Sequence, residues 1–157
     1  IILLIFLSFI NACAGYKPIY TTNSQFEIAD YSIKTNKKLG RQIYSKLYNL
    51  SKSNKKNTET KSITIIIDTT KNKNATVKDS AGKVLEYRII LINNIIIKDH
   101  LTDDEILNQT FSYSSTYKVQ DQHSDTIKFE NKSIEDLINK TYQNLLIKMS
   151  KSILTKW

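Results

Sequence analysis

The chain has 157 residues, a net charge of +8 and a single cysteine, Cys13. This length fits one ordinary domain with one core. Because a lone cysteine cannot form a disulfide within the chain, stability has to come from packing. Only three glycines and one proline are present, few for an enzyme that cradles phosphate in glycine-rich loops. The excess of lysine permits nucleic acid, an anionic membrane surface or an anionic lipid as partner.

The sequence begins with an apolar segment in which nine of the first ten residues are apolar. As a helix this segment spans at most about 18 Å, short of the roughly 30 Å hydrocarbon core of a bilayer. Its length is typical of the hydrophobic region of a secretory signal. Ile10–Cys13 resembles a bacterial lipobox, in which the signal is cut before the cysteine and the cysteine is then acylated.

We therefore predict a signal peptide over residues 1–12, with its start upstream of Ile1 because no Met or basic segment precedes it. Cys13 is the predicted lipidation site, and residues 13–24 form an extended tether in which Pro18 blocks helix formation. Residues 25–157 are expected to form one domain. The alternative for Cys13 is a small buried core residue, which does not explain its place between an apolar and a polar region. An export signal also disfavours nucleic acid as a partner.

The first half of the domain predicts a strand, a helix and a second strand. Phe26–Ile33 is a short strand, and apolar residues spaced by 4, 4 and 3 over Lys37–Leu50 predict a helix with one buried face. Asn36 can cap this helix. The isoleucine run in Ser62–Thr69 predicts a strand. Exposed loops are expected at residues 51–61 and 70–83, the second with a turn near residues 79–82 and a piece, residues 75–77, able to extend the strands.

The second half predicts two strands and a long helix. Val84–Lys98 carries aliphatic side chains on both faces at mid-strand, so we expect it to be buried on two sides or to lie against a partner. Gln109–Val119 alternates, which predicts a half-buried antiparallel strand with aromatic residues toward the core. After a polar loop over residues 120–132, a helix is expected to begin at Ser133. The order β-α-β-β-β-α predicts an α+β two-layer sandwich, with a mostly antiparallel sheet and two helices on one face.

The sequence supplies no catalytic set. His100 and His123 both lie in polar segments without a nucleophile beside them. The acidic residues 103–105 have no His or Cys at ligand spacing, which favours a solvated loop over a metal site. We therefore expect neither enzyme activity nor a cofactor nor a metal. Lysines at loop tips could hold the phosphates of an anionic lipid, although simple solvation also explains them.

Several short segments, in the same order along the chain, resemble the LPS-assembly lipoprotein family, LptE, in its alphaproteobacterial form. After Cys13, Ala14–Tyr20 reads AGYKPIY and is similar to the family's Cys-Gly-aromatic-x-Pro-Leu-Tyr start. Ala75–Val77, Gly82 and the pair Glu86–Tyr87 are similar to its turn and the start of its long strand. A further strand and a long C-terminal helix complete the pattern.

The resemblance implies a non-enzymatic lipoprotein on the periplasmic side of the outer membrane. Members of the family plug the lumen of a large β-barrel, LptD, help it to assemble and bind lipopolysaccharide during its insertion. An enclosing barrel wall would explain apolar side chains on both faces of Val84–Lys98. By position, Lys78 before Gly82 and Lys128 before the last helix are the implied lipopolysaccharide contacts. Ala14 rather than Asp follows the cysteine, so the family-style inner-membrane retention signal is absent.

A second hypothesis stays open beside the first. An envelope lipoprotein that serves as an accessory subunit of a transporter, or as a scaffold, would share the anchor and the α+β domain. The two hypotheses differ in the partner: one large barrel protein in the first, inner-membrane transporter subunits in the second.

Overall fold

The computed structural model describes residues 26–53 and 60–156, with side chains described as far as Ser152. Cys13, the lipobox and the tether lie outside the described residues. The described chain has the predicted order β-α-β-β-β-α, which confirms the α+β class. Its elements are β1 (Phe26–Ile33), α1 (Lys37–Ser53), β2 (Lys61–Lys78), β3 (Val84–Asp99), β4 (Glu105–Lys118) and α2 (His123–Lys156).

The four strands form one sheet in the order β1-β2-β3-β4. β1 and β2 are parallel. A parallel pair needs a long crossover between its two strands, and α1 supplies it. β2–β3 and β3–β4 are antiparallel pairs joined by short turns. The sheet is therefore mostly antiparallel, as predicted.

The core lies between the sheet and the two helices, which pack on the same face. Alternate residues of β2 and β3 point into it, as period-2 alternation requires. Fully burying an isoleucine or leucine side chain contributes roughly 1.5–3 kcal/mol. The most completely buried core side chains are Ile65 and Ile67 of β2, Ile89, Leu91 and Ile95 of β3, Ile43 and Leu47 of α1, and Ile138 and Leu145 of α2.

The start of α1 is fixed by a cap and by a close approach to the sheet. Asn36 accepts a hydrogen bond from the Leu39 backbone N–H through its side-chain oxygen, 3.2 Å away, so the predicted cap is confirmed. One turn into the helix, a Cβ placed on Gly40 would lie 2.5 Å from Cγ2 of Ile33. Only glycine lets this helix lie so close to the strand before it.

A buried polar group ties α2 to the centre of the sheet. Asn93 of β3 is fully buried, accepts a hydrogen bond from the Thr69 hydroxyl at 3.0 Å and donates one to the Thr141 hydroxyl at 3.1 Å. The Thr141 hydroxyl donates in turn to the Leu137 carbonyl. Because the Asn93 side chain is satisfied on both sides, it costs little stability and fixes which turn of α2 faces β3.

Two elements are much longer than predicted, while α1 ends three residues later and β4 begins four residues earlier than expected. β2 continues through the expected loop as far as Lys78, because its polar second half pairs with β3, with register shifts between Ala75 and Lys78. α2 begins at His123 rather than Ser133, so the predicted loop over residues 120–132 is wrong beyond its first three residues. The Thr126 hydroxyl accepts a hydrogen bond from the Gln120 N–H at 2.8 Å, which fixes the start of the helix. Ser133, the predicted first residue, lies within the helix and is buried.

Candidate functional site

One end of the sheet combines most of the features that could bind a ligand. It is the end where the β2–β3 hairpin turns and where α2 begins, and we call it the hairpin end. The Tyr117 hydroxyl of β4 donates to a Glu130 carboxylate oxygen of α2 at 2.8 Å. This contact sets the first turns of α2 against the same end of the sheet that carries the hairpin.

Glu130 also joins two lysines of β2. Lys71 and Lys73 lie on the helix-facing side of the strand, and their ammonium groups are 3.2 and 2.6 Å from the two Glu130 carboxylate oxygens. Burial alone would raise the pKa of Glu130, but the hydrogen bonds from Lys73, Tyr117 and Lys71 outweigh it and lower that pKa from 4.5 to about 2. The carboxylate is therefore charged and fully engaged at neutral pH.

Lys73 is held further by two aromatic rings. Its ammonium lies 4.3 Å from the centre of the Tyr87 ring and 5.6 Å from that of Tyr117, within cation–π range. Burial alone would lower the pKa of Lys73, but its hydrogen bonds with Glu130 and Tyr117 raise it. Glu130 therefore compensates the charges of Lys71 and Lys73 and links β2 to α2. The sequence analysis predicted a loop at both lysines. Had the alternation of Ile63, Ile65 and Ile67 been continued along the strand, it would have placed Lys71 and Lys73 on the face that the helices cover.

The hairpin turn carries Lys78, the first of the two lysines that the resemblance implies as lipid contacts. The turn is confirmed at the predicted residues: one Asp79 carboxylate oxygen accepts the Ala81 and Lys83 N–H groups, both at 2.9 Å, and Gly82 has a φ of 84°. Lys78 is exposed at the end of β2. Beside it, Val77 and Leu85 are 44% and 42% exposed, which is high for aliphatic side chains.

Lys128, the second implied contact, lies in the second turn of α2 and not in a loop before the helix. Its ammonium is paired with Asp125 at 2.9 Å, and the Lys128 side chain remains 76% exposed. Its neighbours Ile127 and Phe129 are 44% and 50% exposed. Each implied lysine therefore has exposed apolar residues next to it in the sequence, so the hairpin end offers both charge for phosphate and apolar surface for acyl chains.

The face of the sheet opposite the helices, which we call the outer face, is covered by no helix among the described residues. Along β3 it carries a row of half-buried isoleucines, between charged residues at the two ends of the strand. Asn94 interrupts the row, and its side-chain oxygen is buried without a hydrogen-bond partner. The isoleucines are Ile90, Ile92 and Ile96, and the end residues are Arg88 and Lys98.

Apart from Asp68 of β2, which lies opposite Asn94, the side chains that flank this row on both neighbouring strands are uncharged. Thr70 and Asn72 of β2 lie beside Ile92 and Ile90 on one side, and Ser112 and Ser114 of β4 lie beside them on the other. A solvated sheet face usually carries many charges. The outer face is instead suited to contact with another protein surface.

The described residues hold no group of three or more His, Cys, Asp or Glu side chains that could bind a metal ion. A cleft of about 460 Å³ separates the start of α1 from α2, and its walls mix cations with anions, among them Lys38, Lys71, Glu130 and Glu135. Neither helix, over the part of the chain that the structure describes, is long and apolar enough to cross a membrane.

No family model and no curated protein matches the sequence. Solved structures do match its fold. Rare lipoprotein B of Shewanella oneidensis superposes with a TM-score of 0.56 at 12% identity, over 80% of this chain and 97% of that one. The uncharacterized lipoprotein B of Nitrosomonas europaea gives 0.55 at 16% identity, over 87% and 90%. A minor lipoprotein of Acinetobacter baumannii gives 0.53 at 14%, over 80% and 93%.

The chain has the fold of these bacterial lipoproteins. The match spans nearly their whole length and most of the described residues of this chain. It is therefore the complete α+β unit that is shared, and not a single hairpin or helix pair. At these identities the likeness shows the shared fold alone.

Proposed function

We propose that this chain is an outer-membrane lipoprotein of the LptE type, anchored through Cys13, which plugs an LptD-type β-barrel and binds lipopolysaccharide. In this role it is a binding and assembly protein and not an enzyme. The observation that carries the proposal is the uncovered outer face, a largely uncharged surface built on the central strand of a fold shared with bacterial lipoproteins.

The outer face supports the role of a plug because its composition suits contact with the wall of a β-barrel better than exposure to solvent. The isoleucine row on β3 gives apolar contact, and the hydroxyl and amide side chains beside it can bond to a polar barrel lumen. A surface of this kind pairs well with the inside of a large transmembrane barrel, whose interior is lined by polar side chains.

The hairpin end supports lipopolysaccharide as ligand. Lys78, close in sequence to the exposed Val77 and Leu85, supplies charge beside apolar surface at the turn, and Lys128, next to the exposed Ile127, does so at the start of α2. A lipid with phosphates on its headgroup and several acyl chains needs both kinds of contact. Lys78 is the stronger of the two candidates, because Lys128 already pairs with Asp125 and phosphate would have to displace that carboxylate.

The plug is tested by charging the outer face without touching the core. Ile92→Glu places a carboxylate at the middle of the isoleucine row, and Leu101→Glu places the same charge in the β3–β4 turn, where Leu101 is 87% exposed. We expect an affinity-tagged chain to retain one large outer-membrane barrel when it carries Leu101→Glu and to lose it when it carries Ile92→Glu. Retention of the barrel by folded Ile92→Glu would contradict the role of the outer face. Recovery of only inner-membrane transporter subunits by the parent chain would reject the plug and favour the transporter-accessory hypothesis.

The lipid role is tested by a matched pair of double variants. Lys78→Asp with Lys128→Asp changes the net charge by as much as Lys34→Asp with Lys148→Asp, whose lysines are also exposed. We expect the first pair to weaken lipopolysaccharide binding while the circular dichroism spectrum is kept, and the second pair to bind nearly as the parent does. Equal binding by both double variants would remove Lys78 and Lys128 from the site.

A further inference from the structure

β4 forms a free edge of the sheet, because it pairs only with β3 among the described residues. The Val119 N–H donates to the Leu85 carbonyl at 2.9 Å. In an antiparallel ladder, bonded and non-bonded residues alternate. The odd-numbered residues of β4 therefore turn their backbone groups toward β3, and the even-numbered residues from Asn108 to Thr116 turn theirs outward. Five consecutive outward positions make a complete template for another strand.

This edge lacks the features that keep exposed strands apart. Natural edge strands are commonly short or carry proline, lysine or a bulge in mid-strand. From Ile106 to Tyr117, β4 contains no charged residue and no proline, and its pairing with β3 is regular from Leu107 onward. An edge of this length and composition is suited to pairing with a second strand.

The helix above the edge carries a self-complementary stripe. Phe129, Asp136, Lys140 and Ile147 are exposed and follow one another at spacings of 7, 4 and 7 residues, so they share one side of α2. The Lys140 ammonium lies 4.8 Å from the centre of the Tyr113 ring of β4, which places the stripe on the edge side. The Asp136 side chain is 56% exposed although it pairs with Lys132 along the helix. The stripe is symmetric about Ile138, with an anion before and a cation after it.

We propose that two copies of this chain pair through this edge, β4 against β4 in antiparallel orientation, to form one eight-stranded sheet. The two-fold axis passes near Ser112 and Tyr113. A two-fold interface requires that a surface complement itself. The stripe does so: Asp136 of each copy faces Lys140 of the other, and Phe129 faces Ile147.

The spacing of the layers fits this arrangement. Four strands about 4.8 Å apart make a sheet about 14 Å wide, and two helices packed about 10 Å apart on it each lie about 2 Å inside the edge strand. Joining two β4 edges then brings the two α2 axes to about 9 Å, within the usual packing distance of helices. The proposal rests on the edge and the stripe, and it does not depend on the barrel or the lipid.

Cross-linking of the full chain tests the pairing of the edges. Ser112→Cys brings two thiols together at the axis, where directly opposed residues lie about 5.5 Å apart between Cα atoms, within reach of a disulfide. Ser32→Cys is the control, because Ser32 is also exposed and lies on β1 at the other edge. We expect an oxidised dimer from Ser112→Cys above the level of the parent, and none above that level from Ser32→Cys. Equal yields from both variants would overturn the proposal.

Charge variants test the stripe without changing the strand. Lys140→Glu replaces two attractive pairs by two repulsive ones, and we expect the dimer dissociation constant, measured by sedimentation of the full chain in detergent, to rise about tenfold. Adding Asp136→Lys to it reverses both charges and should restore the parent value to within about twofold. A parent chain that stays monomeric at about 100 μM would refute the dimer, as would a double variant no tighter than Lys140→Glu.

Discussion

Glu130→Gln is the substitution that best tests how the hairpin end is held together. The change keeps the shape of the side chain and removes the charge that Lys71 and Lys73 share. The difference between an ordinary pKa of 4.5 and the value of about 2 in the fold corresponds to about 3 kcal/mol. Solvent at the exposed fifth of the side chain screens part of this, which leaves about 2 kcal/mol.

The pH dependence gives the prediction its sign. Because the folded-state pKa of Glu130 lies below its unfolded value, the stabilisation is complete above about pH 4.5 and is lost as the pH falls toward 2. We expect urea unfolding to give a free-energy difference between parent and Glu130→Gln of about 2 kcal/mol at pH 7, shrinking to about 0.5 kcal/mol near pH 2.5. Glu135→Gln on the same helix, whose side chain is exposed, serves as control and should change stability by less than about 0.5 kcal/mol. A difference that is absent at pH 7, or that does not shrink at low pH, would refute the reasoning.

Two further substitutions test the packing of the helices. Gly40→Ala puts a methyl group 2.5 Å from Cγ2 of Ile33 and should lower the free energy of unfolding by about 1–3 kcal/mol. In an Ile33→Ala background this loss of stability should nearly vanish. An equal loss in both backgrounds would show that the clash with Ile33 is not its cause. Asn93→Ala leaves the buried Thr69 hydroxyl without an acceptor, removes the donor to the Thr141 hydroxyl and opens a cavity, for an expected cost of about 2–4 kcal/mol by urea unfolding. A cost below about 1 kcal/mol would mean that water replaces the amide.

The periodic segments were predictable because local pattern and burial agree in them. The α1 stripe, its Asn36 cap and the isoleucine run of β2 all have the predicted type and nearly the predicted bounds. Beyond Thr69 the pattern of β2 turns polar, and only pairing with β3, which is distant in sequence, keeps Lys71 and Lys73 in the strand.

The start of α2 was missed for a related reason. Its first ten residues show no apolar stripe, since Ile127 and Phe129 are exposed and Glu130 is held by lysines from another strand. Ser133 looked like a cap in the sequence, but its side chain is buried within the helix. Contacts such as these depend on the assembled sheet and leave no local signal.

The candidate site was predictable only in part. The sequence showed that β3 has aliphatic side chains on both faces, and the structure adds that the helices cover one face while the other is free to meet a partner. The two lysines named by resemblance lie at the same end of the molecule. Their apolar neighbours matter as much to the proposed ligand, and these became apparent only from exposure.

The central claim, that this chain works from a lipid anchor at the outer membrane, is tested most directly by a mass spectrum of the mature N-terminus. The natural gene would be expressed in a Gram-negative host and the protein isolated from outer-membrane fractions. We predict a chain that begins at Cys13 and carries the added mass of acyl chains. A chain that keeps its apolar leader and an unmodified thiol at Cys13 would contradict the claim.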